Sequence, residues 1–136
     1  MLGGAFEGAW TLVGEALIAS QPGEPASIAL QRDLDGRLEF GRLIEAVLAQ
    51  VDDPTFSEVI ARSGVKPREL RSAATWTHQL RLARNAVNHD VDAPLPPTWE
   101  SSAALLMGAT VNLRALWAVT RAARDAAPDV TAEPIK

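Results

Sequence analysis

The segment THQLRLARNAVNHD, residues 77–90, decides how the rest of the chain is interpreted. It contains both histidines of the protein, two of its three asparagines and two of its arginines. Apolar residues at helical spacing run through it and begin after Pro67. This pattern predicts a long helix over 67–89, with a buried face formed by Ala73, Trp76, Leu80, Ala83 and Val87.

The polar residues of this helix fall on the other side of the helical projection. Arg84 and His89 point about 140° apart on a straight helix, so one isolated helix does not bring them into a single site. A distorted helix end or a second subunit would bring them together. The face opposite the predicted buried row carries Arg71, His78, Arg81, Asn85 and His89, with Arg84 and Asn88 at its edge.

The remaining apolar patterns predict helices over about 5–20, 27–50, 54–62 and 98–126, separated by Pro- and Gly-containing breaks. Asp53-Pro54 has the form of a helix start, and Gly64 that of a C-terminal cap. We therefore expect one all-α domain over 1–136. It is an up-and-down bundle of four long helices and one short helix, with a frayed tail at 127–136.

Aromatic and basic residues of the last helix are expected on different faces. Trp117 is placed on the inner face with Leu106, Leu113 and Leu116, so core packing is preferred to base stacking for this indole. The outward positions are Arg114, Arg121 and Arg124.

Composition limits the classes of function. With 47% hydrophobic and 22% charged residues, the chain has the balance of a soluble globular protein. The net charge of −4 argues against a general nucleic-acid coating protein, although five of thirteen Lys and Arg residues lie between Lys66 and Arg84. This basic strip indicates a local anion site.

Neither export nor a membrane span is expected. The N-terminal residues lack the basic start of a secretory signal, and no uncharged stretch reaches the roughly 18 residues of a span. We expect a cytoplasmic protein without a membrane partner. The absence of cysteine excludes thiolate sites, and His78 and His89, eleven residues apart, do not form a zinc site; no metal and no cofactor are expected.

The run Arg84-Asn85-Ala86-Val87-Asn88-His89 resembles the signature of the HEPN superfamily (higher eukaryotes and prokaryotes nucleotide-binding domains). In that signature an Arg, usually followed by a polar residue such as Asn, precedes a His by a few positions near the end of a core helix. The predicted helix order is similar as well, because the motif lies on the next-to-last long helix of a small all-α bundle.

The resemblance implies a metal-independent endoribonuclease, a toxin or defence effector. It implies a homodimer that cleaves RNA in a cleft where two motifs meet, and an antitoxin protein is a possible further partner. The Tyr that some HEPN toxins carry two positions after the His is replaced by Val91. The chain has no tyrosine, so modification of that residue by an antitoxin is not expected.

The residue types suit this chemistry. His89 is predicted as general acid or base, since imidazole titrates near neutrality. Arg84 would stabilise the charge on the phosphate, and Asn85 would orient the reacting groups. Arg81, Asn88 and His78 are the predicted substrate-binding residues, although His78 also fits an ordinary surface or interface position.

Two alternatives remain open. One is a non-catalytic HEPN-like module that binds a nucleotide or a partner protein through the same basic groove. The other is a purely structural bundle that dimerises through an apolar face.

Overall fold

The computed structural model describes residues 2–36, 39–88 and 99–128, and side chains within them except those of 2–5, 40, 83–88 and 99–106. All regular structure in these ranges is helical, which confirms the predicted all-α bundle. A single 3₁₀ turn (Pro54–Phe56) precedes the fourth helix. The six α-helices are α1 (Leu2–Ser20), α2 (Pro25–Asp35), α3 (Phe40–Val51), α4 (Ser57–Ser63), α5 (Pro67–Asn88) and α6 (Trp99–Ala126).

The prediction of one long helix over 27–50 is wrong, because α2 and α3 are separate helices. Gly36 caps the C-terminus of α2, and its N–H donates to the carbonyls of Arg32 and Asp33. Glycine is a poor helix former, so the chain breaks there at little cost. The apolar spacing continues across the break because both helices bury residues in one core, Leu30 from α2 and Ile44 from α3.

The predicted start and stop signals around α4 are confirmed. The carboxylate of Asp53 accepts a hydrogen bond from the backbone N–H of Thr55 at 2.9 Å. Hydrogen bonds from the side chain and the backbone of Thr55 lower the pKa of Asp53. Gly64 follows α4 in the left-handed conformation, with φ of 76°, and Pro67 is the first residue of α5.

Helices α1 and α6 form the centre of the bundle. Helix α6 contacts α1, α4 and α5, while α1 also contacts α2, α3 and α5. Large side chains from several helices fill the core without solvent exposure, so burial of apolar area is the main stabilising contribution. The largest of these residues are Phe6, Trp10, Leu17, Leu30, Ile44, Phe56, Leu70 and Leu116.

The position of Trp117 on α6 differs from the predicted one. Leu116 is fully buried and Leu113 packs against the core, as predicted, but the side chain of Trp117 is 52% exposed. The buried row of α6 continues through Val119 and Ala123 instead. Trp117 therefore lies on the flank of that row, while the predicted outward positions 114, 121 and 124 are exposed. The side chain of Leu106 and most of the predicted tail lie outside the described residues.

Helices α5 and α6 approach each other closely where Trp76 meets Gly108. A Cβ atom at position 108 would lie 2.4 Å from Nε1 of Trp76, so this crossing requires a glycine. The contact sets Trp76 and Gly108 at the same height in the bundle, and it packs Trp76 against the core together with the ring of Phe6.

Candidate functional site

All but one of the predicted site residues belong to the C-terminal half of α5. His78 and Arg81 are described with their side chains, and His78 is half-buried while Arg81 is exposed. Arg84, Asn85 and Asn88 are helical residues whose side chains lie outside the described ones. His89 lies outside the described residues.

The buried face of α5 agrees in part with the predicted one, since Ala73 is fully buried as expected. Among the described side chains of the helix, those exposed by 3% or less are Leu70, Ala73, Ala74 and Thr77. This row is rotated by about a quarter turn from the face predicted around Trp76, Leu80 and Val87. Trp76 and Leu80 are partly buried against the core, because α5 contacts three helices and not one.

The helical projection places part of the motif near this buried row. At 100° per residue, positions 81, 84 and 88 fall within about 80° of Ala73 and Thr77. The side chain of Arg81 is nevertheless exposed, as its predicted place on the polar face requires. The row that is buried in the first half of the helix is therefore open to solvent at position 81.

Thr77 marks the transition between the two halves of this row. Its hydroxyl accepts a hydrogen bond from the indole N–H of Trp10 at 3.1 Å and donates to the carbonyl of Ala73 at 2.7 Å. Both Thr77 and Trp10 are buried. This hydrogen bond joins α5 to α1 one helical turn before Arg81, and we call it the anchor of the helix.

The first turn of α3 provides the described wall beside Arg81 and His78. A Cβ atom at Gly41 would lie 3.1 Å from Nη1 of Arg81 and 3.8 Å from Cε1 of His78. Because Gly41 has no side chain, the guanidinium lies directly against the α3 backbone. The first N–H groups of a helix have no acceptor within the helix, so this wall combines backbone donors with a cation.

The basic strip predicted between Lys66 and Arg84 is partly neutralised. Arg71 forms an ion pair with Asp52, a residue beyond the C-terminus of α3. Arg81 makes no ion pair with any residue that the structure describes. The guanidinium of Arg81 therefore remains a positive charge beside the motif, at the C-terminal end of α5.

The described ranges contain no group of three or more His, Asp or Glu side chains arranged to hold a metal ion. None of the described helices combines the length and apolar run needed to cross a membrane.

The sequence interpretation missed three features. Thr77 has no apolar character, so spacing of apolar residues does not place it in the core. Gly41 lies within the helix predicted over 27–50, and its contacts with Arg81 and His78 are long-range contacts that local spacing does not report. The third is the row of Arg114, Trp117, Arg121 and Arg124, whose spacing of three, four and three was a detectable signal of one helix face.

Comparison with known proteins gives no relative. The chain matches no protein-family model, no curated protein and no solved structure.

Proposed function

We propose that the protein is a metal-independent endoribonuclease of HEPN type, and that it acts as a homodimer. The observation that carries the proposal is the sequence Arg84-Asn85-x3-His89, which begins near the C-terminal end of α5, one turn after the exposed Arg81. Arg81 makes no ion pair with any described residue, so a cation is available to a phosphate beside the motif.

The proposed reaction is an internal transfer at phosphorus. The ribose 2′-oxygen forms a bond to the adjacent phosphorus, and the bond from phosphorus to the 5′-oxygen of the next nucleotide breaks. The products are a 2′,3′-cyclic phosphate and a 5′-hydroxyl. The 2′-hydroxyl proton goes to a base, and the leaving 5′-oxygen receives a proton from an acid.

His89 is proposed for this proton transfer. An imidazole serves as base or acid near pH 7, so one His89 can take the proton of the 2′-hydroxyl and return a proton to the leaving 5′-oxygen. Arg84 would stabilise the negative charge that develops on the phosphate oxygens, and Asn85 would orient the reacting groups. Arg81, His78 and Asn88 would bind the RNA backbone beside the motif.

Exposed apolar residues support self-association. Leu82 on α5 is 68% exposed, and Met107 and Val111 on α6 are 78% and 68% exposed. These helices are neighbours, so a second copy that covers them would also bring its own motif close. A shared cleft would further account for the divergent directions of Arg84 and His89. We place this activity in the cytoplasm, in a toxin or defence effector that an antitoxin protein restrains.

The test is cleavage of single-stranded RNA in the presence of EDTA. We expect His89→Ala and Arg84→Ala each to reduce cleavage at least about a hundredfold, which is typical of losing a proton-transfer group or a charge-stabilising donor. Arg32→Ala, an exposed arginine on α2, is the matched control and should cleave normally. Equal cleavage by wild type and both motif variants contradicts the assignment.

Mixing the two inactive variants tests the shared cleft. If Arg84 of one subunit acts with His89 of the other, a heterodimer of R84A and H89A contains one complete site and regains part of the activity. If both residues act from one chain, the mixture remains inactive. RNA or nucleotide binding that depends on Arg84 without turnover would indicate the non-catalytic binding module.

A further inference from the structure

A second basic surface lies between α4 and α6, apart from the motif. It is an open groove of about 340 Å³ whose lining includes Arg62, Arg114, Trp117, Arg121 and Asp125. The sequence interpretation placed Trp117 in the core and therefore did not identify this surface. We name it the α4–α6 groove.

Positive charge predominates in the α4–α6 groove. Arg62 is paired with Glu58 at 2.6 Å, and the carboxylate of Asp125 lies on the groove lining. Arg114 and Arg121 form no ion pair among the described residues. On an acidic protein, two guanidinium groups without carboxylate partners favour a local anionic ligand.

Trp117 adds an aromatic surface to these charges. Its side chain is 52% exposed, and the guanidinium of Arg124 lies 5.5 Å from the ring centroid. A cation over the ring is attracted to it and covers that face, so a base would stack on the face of the indole that lines the groove. A solvated helix face does not require a half-exposed indole, since exposing apolar area to water is unfavourable.

The spacing along α6 suits an extended ligand. Arg114, Trp117, Arg121 and Arg124 follow at intervals of three, four and three, and they span about 15 Å along the helix. Guanidinium groups that alternate with an aromatic ring are the pattern by which proteins hold single-stranded nucleic acid, with phosphates on the cations and a base on the ring.

We infer that the α4–α6 groove binds single-stranded RNA, with phosphates on Arg114 and Arg121 and a base stacked on Trp117. The inference takes its ligand class from the proposed function, but it uses none of the residues of the motif. An acidic protein partner is less favoured, because strong protein contacts centre on enclosed apolar pockets and this groove is open, with polar atoms forming about half of its lining.

The position of the groove defines what it does for the proposed reaction. Trp76 of α5 and Gly108 of α6 lie at the same height in the bundle. Arg84 follows Trp76 by eight residues, and Arg121 follows Gly108 by thirteen residues in the opposite direction along the bundle. At 1.5 Å per residue, Arg84 and Arg121 are about 30 Å apart along the bundle. A strand of roughly ten nucleotides reaches both, whereas a dinucleotide reaches only the motif.

Binding is measured with fluorescein-labelled 2′-O-methyl (A)10, which lacks the attacking hydroxyl and is not cleaved by the proposed reaction. We expect Trp117→Ala to weaken binding about tenfold, from the loss of one stacked base. Trp117→Phe keeps a ring and should retain most of the affinity. Both variants should fold normally, which thermal unfolding checks.

Variants of the charged residues give a second, independent test of RNA binding in the groove. Arg121→Gln should weaken binding and reduce the slope of log affinity against log salt concentration by about 0.7. Arg32→Gln on α2 is the matched control for lost charge and should leave the slope unchanged. Asp125→Asn removes the opposing carboxylate from the groove and should strengthen binding severalfold.

Two outcomes would overturn the inference, and two others also bear on the proposed function. Unchanged binding in Trp117→Ala and Arg121→Gln places the RNA elsewhere. Displacement of the RNA by a (Glu)10 peptide at equal concentration assigns the groove to an acidic protein. Groove-dependent binding without any RNA cleavage would keep this inference and reject the proposed ribonuclease. Normal cleavage of a dinucleotide by the groove variants, with a raised KM for long RNA, supports both.

Discussion

The two halves of α5 present one face but use it differently. From Leu70 to Thr77 the face is buried and carries small or apolar side chains. From position 81 onward the same row carries Arg81, Arg84 and Asn88, and Arg81 is exposed. The first half stabilises the bundle and holds the helix in place, so we expect variants there to change stability. We expect variants in the second half to change RNA cleavage.

The largest difference should appear between two leucines of this helix. Leu70 is fully buried in the first half, and Leu82 is 68% exposed in the second. Leu70→Ala should lower the free energy of unfolding by about 2–5 kcal/mol, from lost apolar contact and the cavity that remains. Leu82→Ala should change it by less than about 0.5 kcal/mol. Urea unfolding at equilibrium measures both.

Self-association gives the same pair a second readout. If Leu82 belongs to the dimer contact, Leu82→Ala should weaken the dimer in sedimentation equilibrium while leaving each folded chain intact. A loss of stability in Leu82→Ala equal to that of Leu70→Ala would show that the two halves do not divide their tasks in this way.

Local signals in the sequence predicted the helix ends well. Asp53, Gly64 and Pro67 act through their own backbone geometry, which depends little on the rest of the chain. The helix break at Gly36 was not predicted, because the apolar spacing continues from Leu30 to Ile44. Spacing reports which residues face a core, and two helices that pack on one core produce it as readily as a single helix does.

Long-range packing limited what could be predicted about faces. Apolar residues alone placed the buried side of α5 a quarter turn from its true position, because Thr77 and Ala74 contribute little hydrophobic signal. Trp117 was misplaced for the reverse reason, since a large apolar residue beside Leu116 resembles a core residue. The motif itself was visible in sequence, but the contacts of the preceding turns, Thr77 with α1 and Arg81 with α3, are long-range and were not.

The next prediction concerns the hydrogen bond between Thr77 and Trp10, which lies between the two halves of α5. Thr77→Val removes the acceptor for the indole N–H of Trp10 and leaves that buried donor without its partner. We expect a loss of about 1–3 kcal/mol in the free energy of unfolding. RNA cleavage should also fall, because α5 loses its fixed contact to α1 one turn before Arg81.

Thr120→Val provides the control for the buried hydroxyl. Thr120 is equally buried, but the one hydrogen bond that its hydroxyl makes among the described residues runs to the carbonyl of Leu116 in its own helix. That variant should lose less than about 1 kcal/mol, since no long-range donor is left unsatisfied. If Thr77→Val and Thr120→Val unfold at the same urea concentration, the hydrogen bond to Trp10 does not anchor the helix.

A small effect on stability, and the sharpest effect on the second half of α5, is expected for Gly41→Ala. Its new methyl group would lie 3.1 Å from Nη1 of Arg81, which is the end of a flexible side chain and yields by a few tenths of an ångström. Stability should therefore change by less than about 1 kcal/mol, since alanine also favours the helix. The guanidinium, however, moves off the first turn of α3.

We expect this shift to raise the KM for RNA severalfold with little change in kcat, because Arg81 is proposed to bind substrate and not to take part in proton transfer. Gly8→Ala is the matched control, since a Cβ atom there meets nothing within 4 Å. Equal KM values for the two variants would separate Arg81 from the substrate. A fall in kcat alone would instead place Arg81 beside the reacting phosphate, and would extend the catalytic part of the row one turn closer to the buried half of α5.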